Sequence, residues 1–445
     1  MTNENTRTVR IAFQTLGCRL NQYDTEVMKA RLPSGLHYVT VPWDADADVY
    51  VLNSCTVTLK ADQKCRQLSR AVKRRRPDAK VVVTGCYAQT QHAALAAMPE
   101  LDGVFGLDER EDIAEWLPRL LAADARLIEV ADFQPHAVFR SHDITDFDGR
   151  TRAFVKVQDG CDLNCSYCLI QRARGPNRSR PVAEICRQIE VLRGSGFGEI
   201  VLAGVHLGGY GQDLELGKAL VTMLAQVLQR FPSMRFRLSS IHPTEIRPPL
   251  LELFETCTNL RPYLHISLQS GSDTVLRRMR RPYDVASAGR AIEAAAGLSP
   301  HFGIGADVIV GFPGETDDEF AATRSFIERS ALSYLHVFRF SPRPGTPAAE
   351  MRPVHTETVT ERSRVLRGLS RRKRRAFETR LIGHWHEATV ETDRPAPDRR
   401  QATTGNYAAV SVPDTWEPGA MVVLKPAGFR DDTLYADEVA PAPGD

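Results

Sequence analysis

Cysteine is the residue type in this 445-residue sequence that points most directly to chemistry. Three of the nine cysteines, Cys161, Cys165 and Cys168, lie together in the stretch QDGCDLNCSYCLI. Thiolates spaced in this way can converge on one metal centre. Structural zinc sites usually take four protein ligands, and no second knuckle of paired cysteines follows. Three ligands suit an iron–sulfur cluster with one open iron, so the spacing favours a cluster over zinc or a chance grouping.

A second set of cysteines is scattered along the first quarter of the chain. Cys18, Cys55 and Cys86 each come just beyond the end of a predicted strand. If those strands form a parallel sheet, the three loops gather at one edge. A small residue precedes each cysteine, which suits tight turns and close approach of a bulky ligand; these residues are Gly17, Ser54 and Gly85. Spacing alone leaves a second cluster and simple buried packing equally open.

The three remaining cysteines give no such signal. Cys65 and Cys186 fall within predicted helices, and Cys257 falls near a helix end. Buried packing is the better interpretation for all three.

The elements that carry the scattered cysteines alternate strand and helix. Apolar runs at 9–15, 49–54 and 80–85 read as buried strands, and each is followed by a polar stretch of helical character. This alternation predicts a doubly wound, parallel α/β domain. Residues 126–150 lose the pattern and are predicted to be a linker.

A second strand–helix series carries the clustered cysteines. Six βα units fit a partial parallel barrel, of the kind (β/α)6, better than an open sheet; the predicted strands are 153–158, 199–204, 236–240, 263–269, 303–311 and 335–341. The cysteine stretch lies just past the first of these strands, where parallel α/β folds bind ligands.

The pattern changes again near the C-terminus. Short strand-like runs in Pro/Gly-rich surroundings predict a small β-barrel over residues 381–445. The predicted fold is therefore α/β, with ranges 1–125, 126–150 as linker, 151–380 as barrel, and 381–445. The polar start MTNENTRTVR lacks the apolar core of a secretory signal, and no run of 18 apolar residues exists. We expect a cytoplasmic protein without a membrane partner.

With these motifs in place, the sequence resembles the radical S-adenosylmethionine methylthiotransferases over nearly its whole length. CDLNCSYC resembles the family's barrel-cluster motif, and TLGC, NSC and TGC resemble its second-cluster motif. The order of α/β domain, barrel and small TRAM-type β-domain is also the family's order. The resemblance implies that the scattered cysteines hold a second cluster.

Further segments resemble one branch of that family, which acts on N6-threonylcarbamoyladenosine (t6A) in tRNA. These are TLGCRLNQYDTE, GVHLGGYG, ISLQSGSDTVLRRMRRPY, DVIVGFPGET and FRFSPRPGTPA. Arg19 and Leu20 follow the first cysteine, whereas the isopentenyladenosine branch tends to have glutamine and methionine there, and the ribosomal-protein branch a proline. One departure lies near Gln171, where relatives usually show a proline; the triplet Ala173-Arg174-Gly175 is retained.

The resemblance implies a role for each cysteine set. The clustered three would hold a 4Fe–4S cluster whose open iron binds S-adenosylmethionine and whose reduction yields a 5′-deoxyadenosyl radical. Such a radical is needed because adenine C2–H is beyond general acid–base catalysis, which contributes about 10²–10⁴-fold. The scattered three would hold a second 4Fe–4S cluster that carries the inserted sulfur, while a second S-adenosylmethionine supplies the methyl group. Two cofactor molecules would be used per turnover.

Barrel residues near predicted strand ends are candidates for the S-adenosylmethionine pocket; they are Tyr167, Gly204, Ser267, Gln269 and Asp307. A carboxylate in a strand, as at Asp307, is costly to bury without a partner. His206 either faces the substrate base or is hydrogen-bonded locally.

The net charge of +2 conceals strongly segregated charge. Residues 64–80 hold eight Lys/Arg against one acid, and residues 362–380 hold nine against one. RARGPNRSR and the arginines at 277–281 add two more basic blocks, each able to contact phosphate. The C-terminal domain is instead acidic, with five basic and eleven acidic residues over 382–445, a net of −6. This domain would then either recognise the shape of RNA locally, using Lys425 or Arg430, or serve mainly as a lid.

The implied partners are tRNA and a reducing electron donor resembling flavodoxin or ferredoxin, while the sulfur source stays open. Three alternatives remain: methylthiolation of isopentenyladenosine or of a ribosomal protein, a non-enzymatic iron–sulfur or sulfur carrier, and an RNA-binding protein with structural zinc.

Overall fold

The structure is a computed structural model that describes residues 8–33, 38–134, 138–147, 149–214 and 219–442. The chain packs into two compact units. The first contains Met1–Thr145, Asp159–Arg178 and Ser341–Ala349, and the second contains Asp146–Gln158, Ser179–Phe340 and Glu350–Asp445. Packing units need not follow the predicted domain ranges, which stay a prediction.

The first unit is built on a six-stranded, fully parallel sheet in the order β2-β1-β3-β4-β5-β6. Its strands are β1 (Val9–Thr15), β2 (Tyr38–Val41), β3 (Val49–Ser54), β4 (Lys80–Gly85), β5 (Gly103–Phe105) and β6 (Leu127–Glu129). Its helices are α1 (Arg19–Ala30), α2 (Leu59–Arg75), α3 (Cys86–Ala96), α4 (Ile113–Ala122) and α5 (Ile170–Arg174).

The continuous Val/Ile runs explain this sheet. Every residue of β3 is buried, as a strand covered on both faces requires. Two separate cores form from alternate side chains, one around Tyr50 and Leu52 and the other around Val49 and Val51. The predicted doubly wound domain is confirmed.

The second unit contains the six predicted barrel strands. Three parallel strands run in the order β11-β10-β7, and three more in the order β12-β13-β14. Parallel bridges from Phe236 to Leu260 and from Ile241 to Ile266 join the two groups, so the partial barrel is confirmed. The six barrel strands are β7 (Ala153–Lys156), β10 (Glu199–Ala203), β11 (Arg235–Leu238), β12 (Tyr263–Gln269), β13 (Gly303–Val310) and β14 (Tyr334–Arg339). Two further short strands, β8 (Gln158–Asp159) and β9 (Arg178–Ser179), pair with each other and flank the cysteine loop along the chain.

Helices separate these strands along the chain. They are α6 (Val182–Gly194), α7 (Ala219–Arg230), α8 (Pro248–Thr256), α9 (Asp273–Arg278), α10 (Val285–Gly297), α11 (Asp317–Arg329) and α12 (Thr356–Leu381). Short 3₁₀ turns occupy Glu109–Asp112, Leu207–Gly209, Pro243–Glu245 and Pro347–Glu350. No helix of the described residues is both long and apolar enough to cross a membrane.

A seven-stranded sheet curls into a half-barrel at the C-terminus, in the order β19-β20-β17-β16-β15-β18-β21. Its strands are β15 (His386–Val390), β16 (Arg399–Thr404), β17 (Ala409–Pro413), β18 (Met421–Lys425), β19 (Gly428–Arg430), β20 (Thr433–Tyr435) and β21 (Glu438–Pro441). Alternate residues such as Val410 and Val412 fill its core.

This half-barrel contacts the beginnings of the barrel strands. Arg237, the third residue of β11, donates to Gly405 O at 2.8 Å, and Asn406 Nδ2 donates to His301 O, just before β13, at 3.0 Å. The Tyr407 ring stacks on Tyr263, with centroids 4.6 Å apart. These contacts join the half-barrel to the barrel domain, and the role of the half-barrel as a lid stays a prediction.

Candidate functional site

Three neighbouring strands of the first unit bring the scattered cysteines to one sheet edge. Cys18 caps α1 after β1, Cys55 directly follows β3, and Cys86 directly follows β4. The strand order β1-β3-β4 makes these strands adjacent. Cys18 and Cys55 flank the point where the strand order reverses, the usual ligand position in doubly wound sheets. The predicted gathering of the three loops is confirmed.

Two glycines allow the cysteine loops to approach closely. Gly17 has φ +108°, and a Cβ there would lie 2.6 Å from Cys55 Cβ. Gly85 has φ +92°, and a Cβ there would lie 2.4 Å from Asn53 Oδ1. Both positions combine a backbone conformation that favours glycine with no room for a side chain.

A fully buried asparagine holds the loops together. Asn21 Nδ2 donates to Leu16 O at 2.8 Å and to Ser54 O at 3.0 Å, beside the ends of β1 and β3. These bonds fix Asn21 Oδ1 towards the sulfurs, 3.9 Å from Cys18 Sγ and 3.8 Å from Cys86 Sγ. One side chain therefore contacts two of the three candidate ligands.

Electrostatics keep two of these thiols protonated in the protein alone. Burial, followed by the neighbouring Cys86, raises the pKa of Cys55 to about 12, although the Val57 N–H opposes it. Burial also raises the pKa of Cys86, against the opposing charge of Arg174. Three thiolates gathered here need a cationic group to hold them deprotonated, and metal binding supplies one.

The geometry fits a polynuclear group better than one ion. Zn–S bonds of about 2.3 Å would place tetrahedral zinc ligands within roughly 4 Å of one another. Within the described ranges, neither cysteine set forms a group whose ligand atoms all lie within 4.8 Å. All nine cysteines are thiols rather than disulfides. The residues of both sets therefore suit iron–sulfur clusters.

The clustered cysteines lie on a loop closed at its base. Cys161 N donates to Gly175 O at 3.1 Å, and Asn177 N donates to Asp162 Oδ1 at 3.0 Å. Gly160 has φ +73°, and a Cβ there would lie 1.8 Å from Pro176 O. Cys165 is buried, whereas Cys161, Cys168 and the adjacent Tyr167 are half-buried. The loop therefore presents its thiols from one compact turn.

The end of this loop packs against the scattered cysteines. Ala173 belongs to a buried cluster with Cys86 and Leu107. Arg174 Nη2 donates to Asn21 Oδ1 at 2.6 Å and to Asp24 Oδ2 at 2.8 Å. Burial alone would lower the pKa of Arg174, but Asp159 and the other nearby anionic groups raise it well above its usual range.

The departure at Gln171 leaves this arrangement undisturbed. Gln171 is the second residue of α5, and its carbonyl accepts a hydrogen bond from Gly175 N at 3.0 Å. The first turn of a helix accommodates proline or another residue equally, because its N–H groups have no intrahelical partner.

Three predicted pocket residues lie in or next to strands of the second unit. Gly204 follows β10, and a Cβ there would lie 2.9 Å from Gln158 Oε1. Gln269 ends β12 at φ +65°, beside a register shift in the pairing with β13. Strained backbone of this kind concentrates at functional sites. Ser267 O accepts a hydrogen bond from Arg281 Nη2 at 3.2 Å and another from the Tyr283 hydroxyl.

Asp307 does have polar partners, as its position in a strand requires. His265 Nε2 lies 2.9 Å from Asp307 Oδ1, and His336 Nδ1 lies 3.4 Å from the same oxygen. Burial would raise the pKa of Asp307, but hydrogen bonds from the two histidines hold it well below its usual range. The sequence identified the carboxylate and missed both histidines, which only strand register brings together.

His206 is hydrogen-bonded locally, with Nε2 2.6 Å from Glu245 Oε1. Its ring lies 4.5 Å from that of His242. Burial, followed by the Arg281 charge, lowers the pKa of His242 to about 2, so its Nε2 accepts from Arg281 Nη2 at 2.8 Å. Of the two sequence-based interpretations of His206, local hydrogen bonding is the one that matches these contacts.

The basic blocks differ in how much charge they leave exposed. Arg174, Arg178 and Arg180 of RARGPNRSR are buried, so phosphate contact is wrong for these three. Lys73 of the first block pairs with Asp102 at 2.8 Å. Helix α12 instead exposes several arginines, among them Arg367, Arg371 and Arg372.

Comparison with known proteins covers both halves of the chain. Residues 10–106 match the Uncharacterized protein family UPF0004, and residues 155–327 match the Radical SAM superfamily. These ranges contain the scattered and the clustered cysteines respectively.

Named relatives span most of the chain. The Threonylcarbamoyladenosine tRNA methylthiotransferase MtaB of Bacillus subtilis is 39% identical, covering 78% of this chain and 77% of its own. The protein of the same name from Aquifex aeolicus is 38% identical, covering 93% of this chain and 99% of its own. A tRNA-2-methylthio-N(6)-dimethylallyladenosine synthase from Ruegeria is 33% identical, covering 84% and 86%.

Solved structures share the fold. The radical S-adenosylmethionine methyltransferase TsrM from Kitasatospora setae matches 77% of each chain with a TM-score of 0.55 and 13% identity. The two matched family ranges, and relatives that share well over 30% identity along most of their length, settle the family. The chain belongs to the radical S-adenosylmethionine methylthiotransferases, in the branch of the threonylcarbamoyladenosine tRNA enzymes.

Proposed function

We propose that this protein inserts a methylthio group at C2 of t6A next to the tRNA anticodon, giving 2-methylthio-t6A. The observation that carries the proposal is the presence of two cysteine sets in one compact unit. Relatives named for t6A reach 37–39% identity, whereas those named for the dimethylallyl substrate reach 30–33%. The t6A substrate is therefore favoured over the isopentenyl one.

The two cysteine sets would hold two 4Fe–4S clusters. Membership of the radical SAM superfamily implies S-adenosylmethionine and one such cluster, for which Cys161, Cys165 and Cys168 are the proposed ligands. Cys18, Cys55 and Cys86 are the proposed ligands of a second. Together with two molecules of S-adenosylmethionine per turnover, these groups supply radical formation, the inserted sulfur and its methyl group.

The protein's own residues position these groups and exclude water. Gly17 lets the first cysteine loop close over Cys55, and Asn21 fixes the relative position of Cys18 and Cys86. Cys55 and Cys86 are buried and Cys18 is exposed, so the protein shields two of the three proposed ligands from solvent. A shielded site matters because a radical or a reactive sulfur is otherwise lost to side reactions.

Barrel residues would bind S-adenosylmethionine. The absence of a side chain at Gly204 lets Gln158 pack closely against the end of β10, and Gln269 is held in a strained conformation at the end of β12. Asp307 is kept ionised by two histidines and is therefore a hydrogen-bond acceptor. Tyr167, beside the third cysteine of its loop, and Ser267 complete the proposed set.

The remaining partners follow from the reaction. Exposed arginines on α12 would contact tRNA phosphate, with binding that weakens as salt rises. A flavodoxin-like or ferredoxin-like donor would supply the electron. We place the reaction in the cytoplasm, where tRNA is available.

A reconstituted reaction tests the proposal. Anaerobically prepared protein, a strong reductant and S-adenosylmethionine would be incubated with anticodon stem-loops carrying t6A, isopentenyladenosine or unmodified adenosine. We expect the methylthio product from the t6A substrate only, detected by mass spectrometry of the nucleosides. Product from isopentenyladenosine alone would reassign the substrate, and cofactor cleavage that never yields a methylthio product would reject the function.

A further inference from the structure

One short segment touches both cysteine sets of the first unit. This segment, residues 161–175, begins with Cys161 and ends with the triplet Ala173-Arg174-Gly175. Near its middle, Ile170 N lies 3.4 Å from Cys168 Sγ, where α5 begins. At its end, Ala173 packs in the same buried cluster as Cys86. The short helix α5, about one and a half turns long, therefore connects the two proposed cluster sites.

Arg174 makes the polar part of that connection. Its Nη1 donates to both oxygens of Asp159, at 2.9 and 3.0 Å, and its Nη2 donates to Asn21 and Asp24. The side chain is 1% exposed. Asp24 also pairs with Arg110 at 2.8 Å, which holds the carboxylate in place from the other side. The guanidinium is thus fixed by contacts on both of its terminal nitrogens.

The triplet also closes the loop at its own base. Gly175 has φ +71°, and a Cβ there would lie 2.7 Å from Phe133 Cγ. Gly175 O accepts the hydrogen bond from Cys161 N. Displacement of the triplet would therefore shift Cys161 as well as Cys86.

We propose that Arg174 is a positioning residue through which the clustered-cysteine loop completes the site formed by Cys18, Cys55 and Cys86. It rests on the proposed function, because it concerns the second cluster. Arg174 fixes the oxygen of Asn21 that contacts two of the ligand sulfurs, and it brings a buried positive charge towards the anionic sulfurs. Such a charge favours the more negative, reduced form of the cluster.

Arg174→Lys tests this inference because lysine keeps the positive charge but lacks the planar guanidinium, which donates several hydrogen bonds at once. One ammonium group cannot bond Asp159, Asp24 and Asn21 together as the planar guanidinium does. An ammonium paired with Asp159 or Asp24 would lie farther from Asn21 and the sulfurs than the guanidinium does. We therefore expect the reduction equilibrium constant of the second cluster to fall about tenfold, a shift of about 59 mV for one electron. Potentials would be measured by EPR-monitored titration of the holoenzyme, in which the signal perturbed by added S-adenosylmethionine marks the other cluster.

Arg237→Lys is the matched control. Arg237 is equally buried and bonds Glu199 at 3.0 Å in the second unit. Its replacement should lower the unfolding temperature without moving either potential. The inference is overturned if neither variant changes the potential of either cluster. It is also overturned if Arg174→Lys shifts the potentials of the two clusters by the same amount.

Asn21→Asp gives a second measurement should Arg174→Lys fail to fold. The added negative charge, 3.8–3.9 Å from two sulfurs, should lower the potential of the second cluster in the same direction. An unchanged potential in a folded variant would also overturn the inference. Wild-type protein that binds about four irons rather than about eight would instead reject the second cluster and with it the proposed function.

Discussion

Individual atoms around the scattered cysteines are arranged as much by backbone as by side chains. The turn at Gly17 brings Leu16 O within reach of Asn21, while the carbonyl of Ser54 is the second acceptor for the same amide. Since both acceptors are main-chain atoms, the position of Asn21 depends on backbone conformation more than on neighbouring residue types.

Gly17→Ala tests this dependence. Left-handed backbone costs a non-glycine residue about 1–2 kcal/mol, and the new Cβ would also meet Cys55. We expect a lower unfolding temperature together with loss of iron from the second site. Gly196→Ala is the control, because Gly196 has φ +91° with nothing within 4 Å of its Cβ position. It should lower the unfolding temperature and retain iron; equal iron in both variants would argue against a Gly17 role at the site.

The sequence predicted the cysteines but not the residues that link them. Cys18, Cys55 and Cys86 were recognisable because each follows a strand and a small residue. Asn21 and Arg174 are 153 positions apart, so no local pattern could show their contact. The retained triplet containing Arg174 was the one available signal.

At the scale of elements, a buried charge network joins the half-barrel to the barrel. Glu199 opens β10 and bonds Arg237 at 3.0 Å and Arg261 at 3.2 Å. Arg261 reaches Glu387 of β15 at 2.6 Å, and Thr389 donates to Glu199 at 3.1 Å. Buried charges are retained in folds when several partners satisfy them together.

Glu199→Gln should show how this network depends on pH. Burial would raise the pKa of Glu199, but Arg237 and the other arginines lower it to about 2. Because the folded pKa lies below the ordinary value, the stabilisation is present above about pH 4.5 and is lost towards pH 2. Breaking a buried pair costs about 3–5 kcal/mol at neutral pH. That difference from wild type, measured by denaturant unfolding, should shrink as pH falls from about 4.5.

Glu361→Gln is the control for this experiment. Glu361 pairs with Arg364 one turn along α12, where both side chains are exposed. Exposed pairs contribute little to stability, so its unfolding should match wild type at every pH. A difference for Glu199→Gln that stays constant from pH 7 to pH 2 would contradict the network's role.

Strands and helices could be predicted from the sequence where their apolar residues form a continuous run or recur at a regular spacing. The barrel strands were recognisable as apolar runs, and the observed bounds agree with them closely. β16, β19, β20 and β21 were not identified individually, because β16 reads RRQATT and the other three have only three or four residues. Their pairing partners, rather than their composition, define them.

Over the whole molecule, exposed positive charge is distributed unevenly between α12 and the C-terminal half-barrel. Lys425 and Arg430 of the acidic half-barrel lie 3.6 Å from Glu438 and 2.8 Å from Asp437 respectively. Each of these two cations is therefore neutralised locally. The exposed arginines of α12 are better placed to contact RNA phosphate.

Replacing Arg367, Arg371 and Arg372 by glutamine should weaken tRNA binding and reduce its salt dependence. Each lost phosphate contact lowers the slope of log K against log salt by about 0.7–0.9. The measurement is the dissociation constant over a range of potassium chloride concentrations. Lys425→Gln with Arg430→Gln is the control, and we expect no change in slope; the reverse pattern would assign RNA contact to the half-barrel.

The two cysteine sets are predicted to serve separate steps of the reaction. Replacing Cys161, Cys165 or Cys168 by alanine should abolish cleavage of S-adenosylmethionine. Replacing Cys18, Cys55 or Cys86 should abolish methylthiolation while leaving some cleavage, measured as 5′-deoxyadenosine released. If folded variants of both sets lose cleavage equally, two separate roles are wrong.

The proposed activity on t6A is tested by comparing the tRNA nucleosides of cells with and without this gene. In a strain with no paralogue, we predict that deletion removes 2-methylthio-t6A and leaves t6A in its place. Return of the modification with the wild-type gene, but not with Cys86→Ala, would tie the change to the proposed site. A deletion strain whose 2-methylthio-t6A is unchanged would contradict the account.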